Sequence, residues 1–277
     1  MKNYRILKML LIGLCLTLPT SSSFSFSVDK TGLVIYYSFD SDTFTNEDVL
    51  DLSDNGNDGF LHGSNLNIVK GQVNECIEFP GVGTEYIAVR NLNYTEGIPE
   101  LSIAVWIKTP QRSMIASWDR SDYFRFAAGD AAIVQMEFVA FDICCPIEDW
   151  HGDIVVTDDE WHHVAATFDG EIKRIYVDGE IDVEQPTNTT GNTIGPKAER
   201  YGFIGVGSEA ATFNGAVSPT GWAFKGLMDE LFYFHRALSQ DEIAHLAKAP
   251  TDPFSIEPNG KLSTTWGSIK ATINFHE

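Results

Sequence analysis

Three carboxylates stand at alternate positions in one short segment of the chain: Glu180, Asp182 and Glu184. Alternate side chains of a β-strand point to the same face, so all three would line one surface. Two carboxylates on one surface can act as nucleophile and general acid, and the third can adjust their pKa values. The competing interpretation is the solvated acidic face of an ordinary strand. Because the segment follows Asp178-Gly179, we expect it to be the return strand of a hairpin.

A second cluster is rich in oxygen atoms and has the sequence Asp51-x-Ser53-x-Asn55-Gly56. Alternating oxygen side chains before a glycine imitate the first half of an EF-hand calcium loop. The twelfth position is His62 instead of a bidentate glutamate, and no helical pattern flanks the loop. The sequence therefore excludes an EF-hand and leaves two interpretations, an oxygen-rich cation site and a tight Asn-Gly turn.

Aromatic side chains in loop-like stretches are candidates for ligand contact, because aromatic faces together with polar groups are suited to bind sugars. We predict ligand contacts for Trp118, Arg120, Tyr123, Trp150 and Trp222. The alternative is that these residues cover an edge of the core. His162 and His163 are neighbours in a predicted strand and must point to opposite faces, so they cannot chelate one metal ion together.

The chain has many short strand patterns and very little helical periodicity. Leu101–Lys108 alternates strictly, and further strands are expected at 32–39, 76–79, 161–168, 172–177, 201–206 and 227–234. Turn signals recur about every 8 to 12 residues, which is typical of sandwiches and jelly rolls. One short helix is predicted after a capping box at Ser239–Glu242, and Pro250 ends it. The fold class is therefore all-β, a two-sheet antiparallel sandwich with one C-terminal helix.

The first 27 residues have the layout of a signal peptide: three basic residues, an apolar run from Met9 to Leu18, then Pro19 and a serine-rich stretch. Cys15 would suit a lipoprotein signal, but the bulky Leu14 precedes it. We expect the folded domain at 28–249 and a tail or short hairpin at 250–277. The net charge is −20 before the basic leader is removed. A nucleic-acid backbone would be repelled, so nucleic-acid binding is excluded as a function.

Three cysteines remain after removal of the leader: Cys76, Cys144 and Cys145. Neighbouring cysteines bridge each other only with strain, so a disulfide between Cys76 and Cys144 is the first expectation, with Cys145 as an alternative partner. Three buried thiols are the other alternative.

Several stretches resemble, in their order along the chain, the laminin-G-like, concanavalin-A-like jelly roll found in bacterial secreted proteins and related to pentraxins. The matching stretches are Tyr37–Asp40, Asp51–Gly59, Leu101–Ile107, Glu160–Phe168, Ile175–Gly179 and Gly226–Leu231, followed by Arg236–Ser239. They cover about residues 30 to 248. The stretch 118–150 departs from the usual spacing of the family, which indicates an elaborated loop region suited to specificity.

The resemblance implies a calcium ion that ties the first strand, the oxygen-rich loop and the last strand together, with Asp40, Asn55, Asn57 and Asp229 as ligands.

The resemblance also suggests an alternative function. The Glu180, Asp182 and Glu184 strand is similar to the catalytic strand of laminarinase- and licheninase-type glycoside hydrolases. In laminin-G-like domains, however, this strand lies toward a sheet edge, and the tryptophan-rich surroundings of the hydrolase strand are missing.

We therefore expect a secreted, non-catalytic recognition module that binds carbohydrate or extracellular protein and is stabilised by calcium. No transmembrane anchor is expected. The alternatives are a β-glucan hydrolase that uses Glu180 and Glu184, and a structural part of the cell envelope attached through the Trp266-containing tail.

Overall fold

The computed structural model describes residues 27–118, 123–129, 137–143, 149–187, 191–195, 199–207 and 223–255. Within these ranges the chain forms β-strands, one 3-10 turn at Ser41–Thr43 and one α-helix. The strands are β1 Leu33–Tyr37, β2 Asp48–Val49, β3 Gly59–His62, β4 Asn67–Lys70, β5 Glu75–Pro80, β6 Tyr86–Tyr94, β7 Leu101–Lys108, β8 Ser113–Trp118, β9 Phe124–Ala128, β10 Phe138–Ile143, β11 His151–Val155, β12 Trp161–Phe168, β13 Ile172–Val177, β14 Glu180–Pro186, β15 Arg200–Ile204 and β16 Lys225–Phe234, and the helix is α1 Gln240–Leu246.

The strands form two antiparallel sheets that pack face to face. Sheet A has the order β14-β13-β12-β7-β16-β5-β4, and β1 also pairs with β16. Sheet B has the order β11-β10-β9-β8-β15-β6-β3-β2. The main apolar cluster takes residues from both sheets and lies between them. The predicted all-β sandwich with one short C-terminal helix is confirmed.

Strand β7 shows how the sequence pattern builds the centre of sheet A. Ile103, Val105 and Ile107 alternate along the strand and are fully buried in the core between the sheets. The intervening Ala104 and Trp106 face the other side of the sheet, where Ala104 joins a second apolar cluster. Because β7 pairs with β12 and β16 on its two edges, nearly all of its side chains are buried.

Helix α1 covers the outer face of sheet A. Ser239 accepts a hydrogen bond from the backbone N–H of Glu242, and the Glu242 side chain accepts one from the backbone N–H of Ser239, so the predicted capping box is confirmed. Ile243 and Leu246 of the helix pack into the cluster that contains Phe232 of β16.

Strand β16 changes its neighbour along one edge. Residues 225–228 pair with β5, whereas residues 231–234 pair with β1. Asp229 and Glu230 lie between these segments and pair with neither β5 nor β1. At this point the register with β7 also shifts, and Glu230 has a φ of 54°, a left-handed conformation that is uncommon for glutamate. We call this place, with Asp40 and the turn 72–75 beside it, the fork.

Candidate functional site

The fork concentrates acidic side chains around the interruption in β16. Asp229 is fully buried, and its Oδ2 accepts a hydrogen bond of 2.8 Å from the backbone N–H of Val73. Its Oδ1 has no hydrogen-bond partner within the described part of the chain. Asp40 Oδ1 accepts the backbone N–H of Glu75 at 3.0 Å, from the same turn. The turn therefore holds two of the predicted metal ligands, Asp40 and Asp229, in one neighbourhood.

Glu230 completes the fork and was missed by the sequence analysis. It is 5% exposed, and its Oε2 accepts a hydrogen bond of 2.8 Å from the Tyr36 hydroxyl. Burial raises the pKa of Glu230 to about 8, and the charges of Asp229 and Asp40 add to this effect. Burial likewise raises the pKa of Asp229 to about 7. Both carboxylates would be stabilised in their charged form by a cation. The adjacent acidic residues Asp229 and Glu230 were a signal in the sequence, but the left-handed φ of Glu230 and the interruption of β16 were not.

Asn55 and Asn57 use their amide nitrogens at the edge of β1 and not at the fork. Asn55 Nδ2 donates to the Leu33 carbonyl at 2.8 Å, and Asn57 Nδ2 donates to the Val34 carbonyl at 2.8 Å. Asp51 Oδ1 accepts the backbone N–H of Tyr36 at 3.0 Å. The oxygen-rich loop thus satisfies the free edge of β1, which explains its composition without a metal ion.

The four predicted metal ligands therefore have two structural roles. Asp40 and Asp229 lie at the fork, whereas Asn55 and Asn57 bind the free edge of β1. Within the described ranges, no three His, Cys, Asp or Glu side chains are close enough together to hold a metal ion. A cation at the fork would use the free Oδ1 of Asp229 and would need backbone carbonyl groups or water as further ligands, as calcium sites commonly have.

The three carboxylates of β14 do not line one face. β14 is the edge strand of sheet A, and its register with β13 shifts between Ile175 and Tyr176, which breaks the alternation. Asp182 Oδ2 accepts the backbone N–H groups of Asp153 and Ile154 at 2.9 and 3.3 Å. These two residues belong to β11, the edge strand of sheet B.

The neighbours of Asp182 have separate roles. Glu184 accepts a hydrogen bond of 2.6 Å from Arg174 Nε, and Glu180 is exposed at the hairpin turn. Gly152 of β11 allows the close approach of Asp182, because a Cβ atom at residue 152 would lie 2.0 Å from Asp182 Oδ2. The expectation of a shared carboxylate surface is thus wrong: Asp182 joins the two sheet edges, and Glu184 pairs with a cation on its own sheet.

Two predicted ligand-contact residues belong to the core. Trp118 and Tyr123 are both 0% exposed. The Trp118 ring stacks on Tyr233 at 5.0 Å, and its Nε1 donates to the Leu92 carbonyl at 3.3 Å. Trp118 is the last residue of β8 and points inward by the alternation of that strand, so its prediction as a loop platform is corrected. Trp150 is half-buried and packs against the edge of the same core. Arg120 and Trp222 lie outside the described residues.

The outer face of sheet B carries an ion pair with aromatic rings nearby. Arg125 of β9 and Asp142 of β10 face each other in register, and Arg125 Nε donates to Asp142 Oδ2. Asp149 lies 3.7 Å from Arg125 and is largely exposed. Phe138 and His151 stack at 6.1 Å on the neighbouring part of this face. We call these five residues the Arg125 cluster. The Arg125 and Asp142 side chains are only 13% and 6% exposed, so the accessible part of the cluster is Asp149 with the half-buried Phe138 and His151.

The histidine pair points to opposite faces, as predicted. His163 is 1% exposed and packs edge-on against Trp106 at 5.4 Å. Burial lowers its pKa to about 4. His162 lies between Asp178 at 3.0 Å and Asp158 at 3.3 Å, and the hydrogen bond with Asp178 raises its pKa. The two environments therefore shift the pKa values of the two imidazoles in opposite directions.

Cys76 is a free, buried thiol whose Sγ lies 3.5 Å from the Lys70 carbonyl. Burial raises its pKa to about 12. Cys144 and Cys145 lie outside the described residues. The structure therefore gives no support to the predicted disulfide between Cys76 and Cys144 and agrees with a buried thiol at Cys76.

Residues 81–244 match a laminin-G-type family model described as the concanavalin A-like lectin/glucanases superfamily. The match spans more than half of the chain, and the chain belongs to this superfamily. No curated protein shows significant sequence similarity to the chain. The order of motifs seen in the sequence agrees with this family, whose name includes both lectins and glucanases.

Solved structures with the same fold include one domain of an extracellular arabinanase and the binding domains of two other proteins. Domain 4 of AbnA, an extracellular arabinanase from Geobacillus stearothermophilus solved with arabinotriose, has a TM-score of 0.59 and 18% identity, over 79% of this chain and 100% of that chain. The binding domain of Paraclostridial Mosquitocidal Protein 1 has a TM-score of 0.58 and 15% identity, over 79% of this chain and 52% of that chain. The botulinum neurotoxin DC binding domain, solved with rat synaptotagmin II, has a TM-score of 0.55 and 12% identity, over 79% of this chain and 51% of that chain.

This chain thus spans the whole arabinanase domain but about half of each toxin domain. At these identities the likeness establishes the fold. Among the described residues, the single helix is too short to cross a membrane.

Proposed function

We propose that the protein is a non-catalytic recognition module that binds carbohydrate at the Arg125 cluster on the outer face of sheet B. The observation that carries this proposal is the largely exposed Asp149 next to the buried Arg125–Asp142 pair, with the stacked Phe138 and His151 rings on the same face. Sugar hydroxyls can donate to the exposed carboxylate of Asp149, and ring faces pack against the apolar faces of sugars. The arabinanase domain solved with arabinotriose is a relative of this fold with a carbohydrate ligand and supports the proposal.

The cluster lies in the part of the chain that departs from the usual spacing of the family. Arg125, Asp142 and Asp149 all fall between residues 118 and 150, where we expect specificity to reside. Rigid strands β9 and β10 fix the first two side chains, and Asp149, largely exposed, remains available to a ligand. A site of this kind binds a sugar without needing a nucleophile.

A titration with a panel of soluble glycans, including arabino-oligosaccharides, laminarin and lichenan, tests the proposal. We expect saturable binding of at least one glycan, measured by calorimetry with and without calcium. If no glycan binds, and an extracellular protein panel yields a partner instead, the carbohydrate assignment is wrong.

The hydrolase alternative makes a different prediction. Since Asp182 is used between the sheets and Glu184 pairs with Arg174, we expect no release of reducing sugar from laminarin or lichenan. Release by the wild type that is lost in Glu180→Gln would establish the hydrolase and overturn the non-catalytic proposal.

We propose further that calcium stabilises the fold by binding at the fork. Asp229 Oδ1 is buried without a partner, and Asp40 and Glu230 add negative charge beside it. When bound, calcium would supply the positive charge that these carboxylates lack. We expect calcium to raise the melting temperature of the wild type but not of Asp229→Asn. Asp54→Asn, at an exposed position of the oxygen-rich loop, is the matched control and should keep the calcium response. An equal response in all three proteins would place any calcium elsewhere.

We propose that the mature protein is exported, because residues 1–27 have the layout of a signal peptide. The N-terminal sequence of the protein recovered outside the cytoplasm should then begin near residues 24–28. Recovery of the protein with Met1 intact in the cytoplasm would contradict export. Attachment to the cell envelope through the segment that contains Trp266 is the third alternative, and loss of attachment after deletion of residues 256–277 would support it.

A further inference from the structure

A cavity of about 370 Å³ opens beside the fork. One water molecule takes about 30 Å³ of liquid volume, so the cavity is large enough for a small organic group. Its walls come from parts of the chain that are distant in sequence: Lys30, Tyr36 and Asp40 near β1, Glu230 of β16, and Phe254 after the helix. The cavity is therefore a product of the fold and not of one loop.

Negative charge dominates the cavity. Asp40, Asp42, Glu230 and Asp252 line it, against the single ammonium group of Lys30. Glu230 is 5% exposed and uses Oε2 for the Tyr36 hydroxyl. A buried carboxylate in the wall of a cavity that other carboxylates also line favours a ligand that donates hydrogen bonds and carries positive charge.

The other walls of the cavity are aromatic and aliphatic. Tyr36 and Phe254 meet edge to face at 5.7 Å, and the half-exposed Leu52 lies at the rim. Lys30 Nζ lies over the Phe254 ring, 4.8 Å from its centre. The Phe254 ring thus already contacts one primary ammonium group, that of the Lys30 side chain. This combination of carboxylates with ring faces and an apolar rim suits an ammonium group on an aliphatic stem better than a bare metal ion.

We propose that this cavity binds a primary alkylammonium group, carried either by a free amine or by a lysine side chain of a partner protein. The aliphatic stem contacts Leu52 and Phe254, and the ammonium group donates to Glu230 and the neighbouring carboxylates. The proposal is independent of glycan binding at the Arg125 cluster. The cavity shares Asp40 and Glu230 with the calcium proposal, but Asp229 does not line the cavity, so a variant at Asp229 separates the two proposals.

Chemical-shift mapping of the full chain with n-butylammonium and with N-acetyl-lysine methylamide tests the proposal. We expect saturable shifts at Tyr36, Asp40, Glu230 and Phe254. Tighter binding of the lysine derivative would assign the group to a protein side chain, and tighter binding of butylammonium would assign it to a free amine. Shifts that do not saturate and are spread over the acidic surface would overturn the proposal.

Two matched pairs of exposed-site variants separate specific binding from general attraction. Lys30→Met removes the ammonium group that lies over the Phe254 ring, so the affinity for the amine should rise about threefold. Lys70→Met should change this affinity little. Asp42→Asn should weaken binding about twofold, whereas Asp54→Asn should not. Equal effects within each pair would overturn the assignment.

Asp229→Asn should keep amine binding even though it removes the calcium response, so the two proposals can fail separately.

Discussion

Arg125 and Trp118 lie on adjacent strands of sheet B, and the direction of each side chain decides its role. Trp118 points into the core and stacks on Tyr233, whereas Arg125 points outward to Asp142. Residue type alone favoured the tryptophan as the ligand contact. Strand alternation, which depends on where β8 begins and ends, gives the opposite assignment. At the scale of single residues, orientation separates a core aromatic from a binding surface.

The histidine pair gives a prediction about pH. The buried His163 has a pKa of about 4, against about 6.5 in an unfolded chain. The unfolded state therefore binds a proton below pH 6.5 that the folded state does not accept until about pH 4. Stability contributed by His163 is present above pH 6.5 and is lost as the pH falls, by about 3 kcal/mol at most. The difference in unfolding free energy between the wild type and His163→Phe should shift by this amount between pH 7 and pH 4, measured by urea denaturation.

His162 provides the control with the opposite sign. Its pKa is raised in the folded state by the hydrogen bond with Asp178. Its contribution is present at low pH and is lost as the pH rises through the folded pKa. The difference between the wild type and His162→Asn should therefore grow as the pH falls from 8 to 6. If both variants showed the same trend with pH, the assigned environments of the two rings would be wrong.

At the scale of elements, the two sheets are joined at their edges as well as through the core. Asp182 of β14 accepts backbone N–H groups of β11, so one carboxylate satisfies two donors on the edge of the other sheet. This contact also limits the addition of a foreign strand at that edge. The sequence pattern of Glu180, Asp182 and Glu184 did not reveal this contact, because the shift in register within the β13–β14 hairpin breaks the alternation that would put all three on one face.

Asp182→Ala should destabilise the protein by about 1 kcal/mol, because the N–H groups of Asp153 and Ile154 lose their acceptor but remain near water. Glu180→Ala, at an exposed site of the same strand, should change stability by less than about 0.5 kcal/mol. Chemical denaturation measures both. Equal losses in the two variants would show that Asp182 has no special role between the sheets.

The sequence predicted the helix and eight of the sixteen described strands, but only part of the site. Leu101–Lys108, Trp161–Phe168 and Ile172–Val177 were predicted with the bounds that the structure has, because their alternation and turn residues are local signals. The fork depends on a strand that changes its neighbour, and the Arg125 cluster depends on the register between β9 and β10. Both are long-range pairings, which a local pattern does not encode.

At the scale of the whole molecule, the folded body extends beyond the predicted end at residue 249. Val28 donates its backbone N–H to the Pro253 carbonyl at 3.2 Å, which ties the first described residues to the last ones. Phe254 packs edge-on against Tyr36 and Phe232. The segment 251–255 therefore belongs with the sandwich, and a tail can begin only after it.

Truncation tests this boundary. A chain that ends at residue 255 should keep the melting temperature of the mature protein within a few degrees. A chain that ends at residue 249 should lose about 2 kcal/mol or more, because it lacks the buried contacts of Phe254. Differential scanning calorimetry compares the two chains. Equal stability would mean that residues 250–255 contribute nothing to the fold.

The central claim is that the outer face of sheet B binds carbohydrate. Calorimetric titration of the best-bound glycan from the panel into the wild type, His151→Ala and Arg174→Ala tests it most directly. His151 belongs to the Arg125 cluster, whereas Arg174 makes comparable ion pairs on sheet A. We predict that His151→Ala weakens binding about tenfold with no change in fold, and that Arg174→Ala binds as the wild type does. Unchanged affinity in His151→Ala, or an equal loss in both variants, would contradict the assignment.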